Sequence, residues 1–136
     1  MPMKVLRVEP YRIPAVKEIN SGLESLQHEV GGWIQAVYPF EDPVAIICNE
    51  EGKLNGMDLC RALRDENGEV YDVIAGPFLI VGLGEENFTS PSADMIDKYK
   101  EVFSQPEVFL QTNSGLLVMP YVMDGFSSPA TGDRER

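Results

Sequence analysis

Trp33-Ile-Gln-Ala-Val-Tyr38, Pro39-Phe-Glu-Asp-Pro43 and Val44-Ala-Ile-Ile-Cys48 form the stretch on which the fold turns. Two runs rich in β-branched and aromatic residues flank a link with proline at both ends, and proline neither donates to a β ladder nor leaves φ free. The pattern predicts two strands joined as a hairpin, with Trp33 a core anchor at the foot of the first. Upstream, Lys4-Val-Leu-Arg-Val8 and Ala15-Val-Lys-Glu-Ile19 read as another antiparallel pair, separated by a loop holding Pro10 and Pro14. Between the two pairs, Ser21-Gly-Leu-Glu24 matches a capping box, and Leu23, Leu26 and Val30 follow on one stripe. Gly31-Gly32 stops the pattern, since glycine takes the left-handed C′ conformation without steric cost. This predicts a helix over about 22–30 and a ββαββ-like opening.

Downstream, residues 54–66 read as irregular or extended. Val70-Tyr-Asp-Val-Ile74 and Phe78-Leu-Ile-Val81 read as strands parted by Gly76-Pro77. Ser90-Pro91 resembles an N-cap followed by N1 proline, and Met95, Ile96, Tyr99, Val102 and Phe103 recur at helical spacing, predicting a helix over 91–104. Val108–Gln111 and Leu116–Met119 flank Asn113-Ser-Gly115 as a last hairpin. The expectation is one α+β domain over 1–122, with a mixed, mostly antiparallel sheet and both helices packed on one face. A disordered C-terminal tail is expected over 123–136.

The chain has 136 residues with 22 acids against 11 bases, a formal charge of −11. A chain of this length can bury a full hydrophobic core without disulfide or metal staples. The acidity disfavours direct nucleic-acid binding, which rests on Lys and Arg displacing counterions, and disfavours anionic membranes by the same sign. It steers a basic protein partner inward. With no signal-like N-terminal stretch, a cytoplasmic location is expected. The only cysteines, Cys48 and Cys60, then read as free thiols, and with the single histidine, His28, they lack zinc-ligand spacing. No metal site and no cofactor are expected. Gly76–Gly84 is no phosphate cradle, because no Gly-Lys-Ser/Thr follows and Glu85-Glu86 would repel phosphate.

The most acidic segment, residues 41–72, holds nine acids and three bases. Glu50, Glu51, Asp65, Glu66 and Glu69 make up its candidate acidic surface, while its turns lack the ligand ladder of a calcium loop. Arg61 and Arg64 are the only arginines between residues 13 and 133 and sit within this segment. Internal pairing of Arg61 with Asp58, Asp72 or Glu69 is the favoured reading, and a pocket lined by Arg61 for an anionic ligand is the other.

Gly31–Tyr38, Ile46-Ile-Cys-Asn-Glu-Glu-Gly-Lys-Leu-Asn-Gly56, Arg61-Ala-Leu-Arg64 and Tyr71-Asp-Val-Ile-Ala-Gly76 together resemble a bacterial family, domain of unknown function 3846, over about residues 4–103. The resemblance implies a phage or mobile-element setting and carries no activity. It marks Asn49, Gly52, Gly56, Arg61, Tyr71, Asp72 and Gly76 as recurring positions, the glycines as turn formers. The family pattern has Asn before the arginine matched by Arg61, where this chain has Cys60.

Two functions follow as expectations. One is a non-catalytic accessory protein that binds a protein partner, a basic one by the charge argument, through the acidic segment; in its sharper form the carboxylates mimic DNA phosphates. The other is a small-molecule binder or enzyme with a pocket around Arg61, Tyr71 and Asp72. The candidate binding residues are Asn49, Arg61, Arg64, Tyr71 and Asp72, and none is assigned a catalytic role.

Overall fold

Apolar runs and chain breakers alternate along the sequence, and each run becomes an element. The computed structural model describes residues 2–122, so the tail expected over 123–136 lies outside the described residues. The order is β1 (Pro2–Val8), β2 (Ala15–Asn20), α1 (Leu23–Val30), β3 (Ile34–Val37), β4 (Val44–Asn49), β5 (Leu59–Arg64), β6 (Val70–Ala75), β7 (Phe78–Leu83), β8 (Phe88–Thr89), α2 (Ala93–Val102), β9 (Glu107–Thr112) and β10 (Gly115–Pro120). The fold is α+β and its described strand pairings are antiparallel.

The main sheet runs β2-β1-β7-β4-β3, with β8 against the end of β7, while β5–β6 and β9–β10 form two separate two-stranded sheets. The two N-terminal hairpins therefore do not touch edge to edge. Strand β7 inserts between them, pairing Leu6 with Ile80 on one side and Ile46 with Ile80 on the other. Residues 70–75, expected in this sheet, leave it to pair with β5, so within the segment read as irregular or extended, residues 59–64 are a strand. Gly76-Pro77 makes the break between sheets: Gly76 has φ 80°, a conformation that glycine adopts without the Cβ clash other residues meet.

Because strand side chains alternate, the all-apolar runs of β4 and β7 present a hydrophobic row on each face. Ala45, Ile47, Leu79 and Val81 join Met3, Val5 and Ile19 under Leu26 and Val30 of α1. Val44, Ile46, Cys48, Phe78 and Ile80 join Leu6 and Val8 under Tyr99 of α2 and Phe103 at its C-terminal end, together with Cys60, Leu63 and Ile74 of the β5–β6 hairpin. The helices expected on one face thus lie on opposite faces. One helix is too narrow to cover a sheet that is apolar on both sides, and each face takes its own cover.

The helix ends differ in detail from the sequence reading. In α1 the N-cap is Gly22 and no side chain caps it, so Ser21 and Glu24 form no capping box; Gly31 closes the helix in the left-handed region as expected. Leu23 points to solvent, and the inward stripe is Leu26, Glu29 and Val30. Buried Glu29 is met by Lys17 Nζ at 2.9 Å and Arg7 Nε at 3.0 Å, an ion-pair clamp from β1 and β2 onto the helix. In α2 the cap is Ser92, whose hydroxyl accepts from Met95 N–H at 3.2 Å, while Ser90 takes the Lys4 N–H at 2.8 Å. No described helix is long and apolar enough to cross a membrane.

Helix α2 is fastened by a buried phenol. Tyr99 packs against Phe40 at 4.4 Å between ring centroids, and its O–H donates to Asp42 Oδ2 at 2.6 Å, where Lys98 also donates. Hydrogen bonds from Lys98 and Tyr99 hold the Asp42 carboxyl below its ordinary 3.8. A carboxyl with a depressed folded-state pKa stabilises the fold above its unfolded value and loses that contribution as pH falls. Asp42→Asn is therefore expected to melt below wild type at neutral pH and to converge on it as pH drops through and below about 3.8. Thermal melts across pH check this, and a constant offset at every pH would contradict it.

Candidate functional site

The β5–β6 hairpin carries the candidate residues, and its register explains where they go. Leu59 pairs with Ala75 but Arg61 pairs with Ile74, so Cys60 is the extra residue of a β-bulge; a second shift falls between Leu63 and Arg64. A bulge bends its strand and re-aims side chains. Here it lets Cys60, Arg61, Ala62 and Leu63 all be buried in succession.

Arg61 is 1% exposed and donates to backbone carbonyls from three directions. Nε reaches Phe103 O at 3.1 Å beyond the end of α2, Nη1 reaches Cys60 O at 3.0 Å and Glu9 O at 3.4 Å, and Nη2 reaches Arg12 O at 2.6 Å in the β1–β2 connection. It makes no ion pair with Asp58, Asp72 or Glu69, contrary to the favoured sequence reading. Its planar fork instead ties strand β5 to two chain segments outside any ladder, the β1–β2 connection and the stretch after α2. Burial pulls its pKa down, against the opposing charge of Glu107. The hollow beside it, about 170 Å³ between Arg61, Arg64, Tyr71 and Phe103, is too small for most ligands.

Arg64 pairs with Glu107 of β9 at 2.6 Å, and the second oxygen of that carboxylate accepts the Ala62 N–H at 2.9 Å. Glu107 is 7% exposed and satisfies an edge donor of β5. The sequence reading missed it, since a single Glu opening a strand carries no pattern. Asn49 is buried too: its Nδ2 donates to Val30 O at 3.1 Å and its Oδ1 accepts from Glu51 N–H at 2.8 Å. It clasps the end of α1 to the β4–β5 loop.

Tyr71 and Asp72 differ, for both lie open to solvent. With Asn49, Glu50 and Glu51 they line a cleft of about 660 Å³ between β3, the β4–β5 loop and β6. Its walls also bring Tyr38 and Leu54, both well exposed, and its floor holds Cys48. Lys53 crosses to Asp72 at 2.8 Å. Burial raises the Asp72 pKa, but the hydrogen bonds from Lys53 and the Val73 amide outweigh it and hold the carboxyl below its ordinary value. Asp65 is turned inward on its own loop, its Oδ1 accepting the Asn67 and Glu69 amides at 2.9 Å. Glu66 and Glu69 stand exposed on that same turn. Trp33, expected in the core, is 67% exposed just before β3, where its carbonyl accepts the Glu50 amide at 2.8 Å.

Neither thiol is a ready nucleophile. Burial pushes Cys60 up to about 12 and, with the Asp72 charge adding, raises Cys48 as well, leaving both protonated at neutral pH. Among the described residues no group of three or more His, Cys, Asp or Glu is placed to hold a metal ion.

The family model described as Domain of unknown function (DUF3846) matches residues 3–104, and the chain belongs to that family. No curated protein and no solved structure matches the chain. The match ends just after α2, so the β9–β10 hairpin lies beyond it.

Arg61→Ala would leave several carbonyls without their donors and a void in the core, a loss of about 3 kcal/mol or more. Arg61→Lys keeps the charge but loses the fork, and is also expected to destabilise. Tyr71→Ala and Asp72→Asn, at the open cleft, are expected to stay within about 0.5 kcal/mol of wild type. Urea denaturation separates the two groups, and an Arg61→Ala protein as stable as wild type would refute the clamp.

Proposed function

We propose that this DUF3846 member is a non-catalytic, cytoplasmic accessory protein of a bacterial mobile element that binds a basic segment of another protein in the cleft between β3, the β4–β5 loop and β6. The observation that carries this reading is the make-up of that cleft. Exposed Tyr38, Leu54 and Tyr71 stand beside Glu50, Glu51 and Asp72, and its one base, Lys53, is already paired. Tyrosine faces and carboxylates suit arginine and lysine side chains, through cation–π contact and bidentate pairing. Exposed aromatics are also the residue type on which interface affinity concentrates.

The acids of the neighbouring 65–69 turn extend the negative field beyond the cleft, so association is steered by charge and weakened by salt. In the sharper version the carboxylates occupy a site on the partner that otherwise holds nucleic-acid phosphates. Only the charge supports that step.

A second reading has one specific observation in its favour. The cleft volume falls within the usual range for small-ligand sites, about 300–1,000 Å³. A small molecule there would meet Tyr71 and Asp72, while Arg61, fully engaged with carbonyls, is not available to it.

Affinity capture from a bacterial lysate, followed by titration with an arginine-rich synthetic peptide, tests the proposal. Trp33 beside Glu50 serves as a fluorescence reporter. Tyr38→Ala and Tyr71→Ala are each expected to weaken peptide binding at least about tenfold, ~1.4 kcal/mol. Neutralising Glu50, Glu51, Asp65, Glu66 and Glu69 together is expected to abolish capture. Undiminished capture and peptide binding in both variants would overturn the proposal.

A further inference from the structure

Residues 108–122, Val108-Phe-Leu-Gln-Thr-Asn-Ser-Gly-Leu-Leu-Val-Met-Pro-Tyr-Val122, contain no charged side chain; all 22 acids and 11 bases lie outside them. They make up nearly all of the β9–β10 hairpin and the residues just after it. Leu110 pairs with Leu117 and Val108 with Met119, so the four side chains share one face. Leu110 is 52% exposed, Leu117 46% and Met119 38%. The opposite face begins with Glu107, which is turned toward β5.

The hairpin is held firmly at its base. Tyr121 N–H donates to Pro106 O at 2.8 Å, Gln105 Nε2 donates to Tyr121 O at 2.9 Å, and the Tyr121 ring meets Tyr11 edge-on at 5.3 Å. A face fixed in advance has little ordering entropy left to lose on association.

We infer that this face is a self-association surface, on which a second copy of the chain packs its own Val108, Leu110, Leu117 and Met119 across a twofold axis. Charge argues for that occupant. A basic partner is drawn to the acidic segment 41–72 and gains nothing electrostatically from a neutral face. Two copies, each carrying −11, repel everywhere except where neither brings a charge, and this hairpin is such a place. The same patch on both subunits is what an isologous dimer requires.

Register argues that faces, more than edges, make the contact. The two-residue turn Asn113-Ser114 sets Gly115, Leu117 and Met119 to bond with β9, so only Leu116 and Val118 offer N–H groups on the outer edge, and Pro120 has none. Two donors are few for an added strand, whereas buried leucine and methionine side chains each contribute on the order of 1.5–3 kcal/mol when fully covered.

Sedimentation equilibrium of the full chain over a range of concentrations and salt tests the inference. The wild type is expected to form a dimer whose dissociation constant falls several-fold as salt rises from about 0.05 M to about 1 M, because screening removes the like-charge repulsion. That salt response is opposite to the one proposed for the cleft, so the two readings fail independently. Leu117→Glu, and separately the β-compatible Leu110→Thr, should leave a monomer with an unchanged circular dichroism spectrum, while Leu54→Glu in the cleft should still dimerise. A monomer at every concentration and salt, a dimer that weakens with salt, or a dimer undiminished in both hairpin variants would overturn the inference.

Discussion

The structure depends on strands β4 and β7 being apolar on both faces. Val44–Cys48 and Phe78–Val81 are buried without exception, and neither strand has a polar side to turn to water. A sheet with such a centre has to be covered twice. Helix α1 covers one face, and α2 with the β5–β6 hairpin covers the other. The covering elements in turn decide what is left open. The β5–β6 hairpin, laid over the sheet, forms one wall of the cleft that holds Tyr71 and Asp72.

Attaching those covers leaves polar backbone groups without ladder partners, because the second face is assembled from short pieces. Arg61, Glu107 and Asn49 serve them. Arg61 takes carbonyls from the β1–β2 connection and from beyond α2; Glu107 takes an amide of β5; Asn49 takes the last carbonyl of α1. A buried cation held by carbonyl oxygens, with no carboxylate paired to it, suffers a desolvation cost, and the nearby Glu107 charge offsets part of it. Three residues with the chemical types of a binding site thus stitch the fold together, and the aromatic and acidic rim of the cleft is left exposed.

Much of this was legible in the sequence. Apolar runs and proline or glycine breaks placed most of the strands and both helices, with bounds off by a few residues, and Gly31 ended α1 as its position predicted. The strand β5 was hidden because Gly56 and the 65–68 turn crowd a run whose leucines also fit a helical turn. The second face was hidden because a run without polar residues does not say how many covers it has. Trp33 misled for a related reason: aromatic bulk suggests burial, but the residue lies just before an edge strand whose outer side is open. For Arg61, composition pointed to carboxylate partners nearby in the chain, while its partners are carbonyls 42 to 52 residues away and one next door. Long-range backbone acceptors leave no side-chain signature. The sequence names Tyr71 and Asp72, which line the cleft, and does not name Tyr38 and Leu54 as candidates, because only the fold brings residues 38 and 54 beside residue 71.

Native-state hydrogen exchange tests the two-sided sheet most directly. If the account holds, the amides of Ile46, Ile47, Leu79 and Ile80 exchange only through global unfolding, and their protection falls in step with global stability when either cover is loosened, whether by Val30→Ala in α1 or by Phe103→Ala beyond α2. Exchange of those four amides through a low-energy local opening, or a response to loosening only one of the two covers, would contradict it.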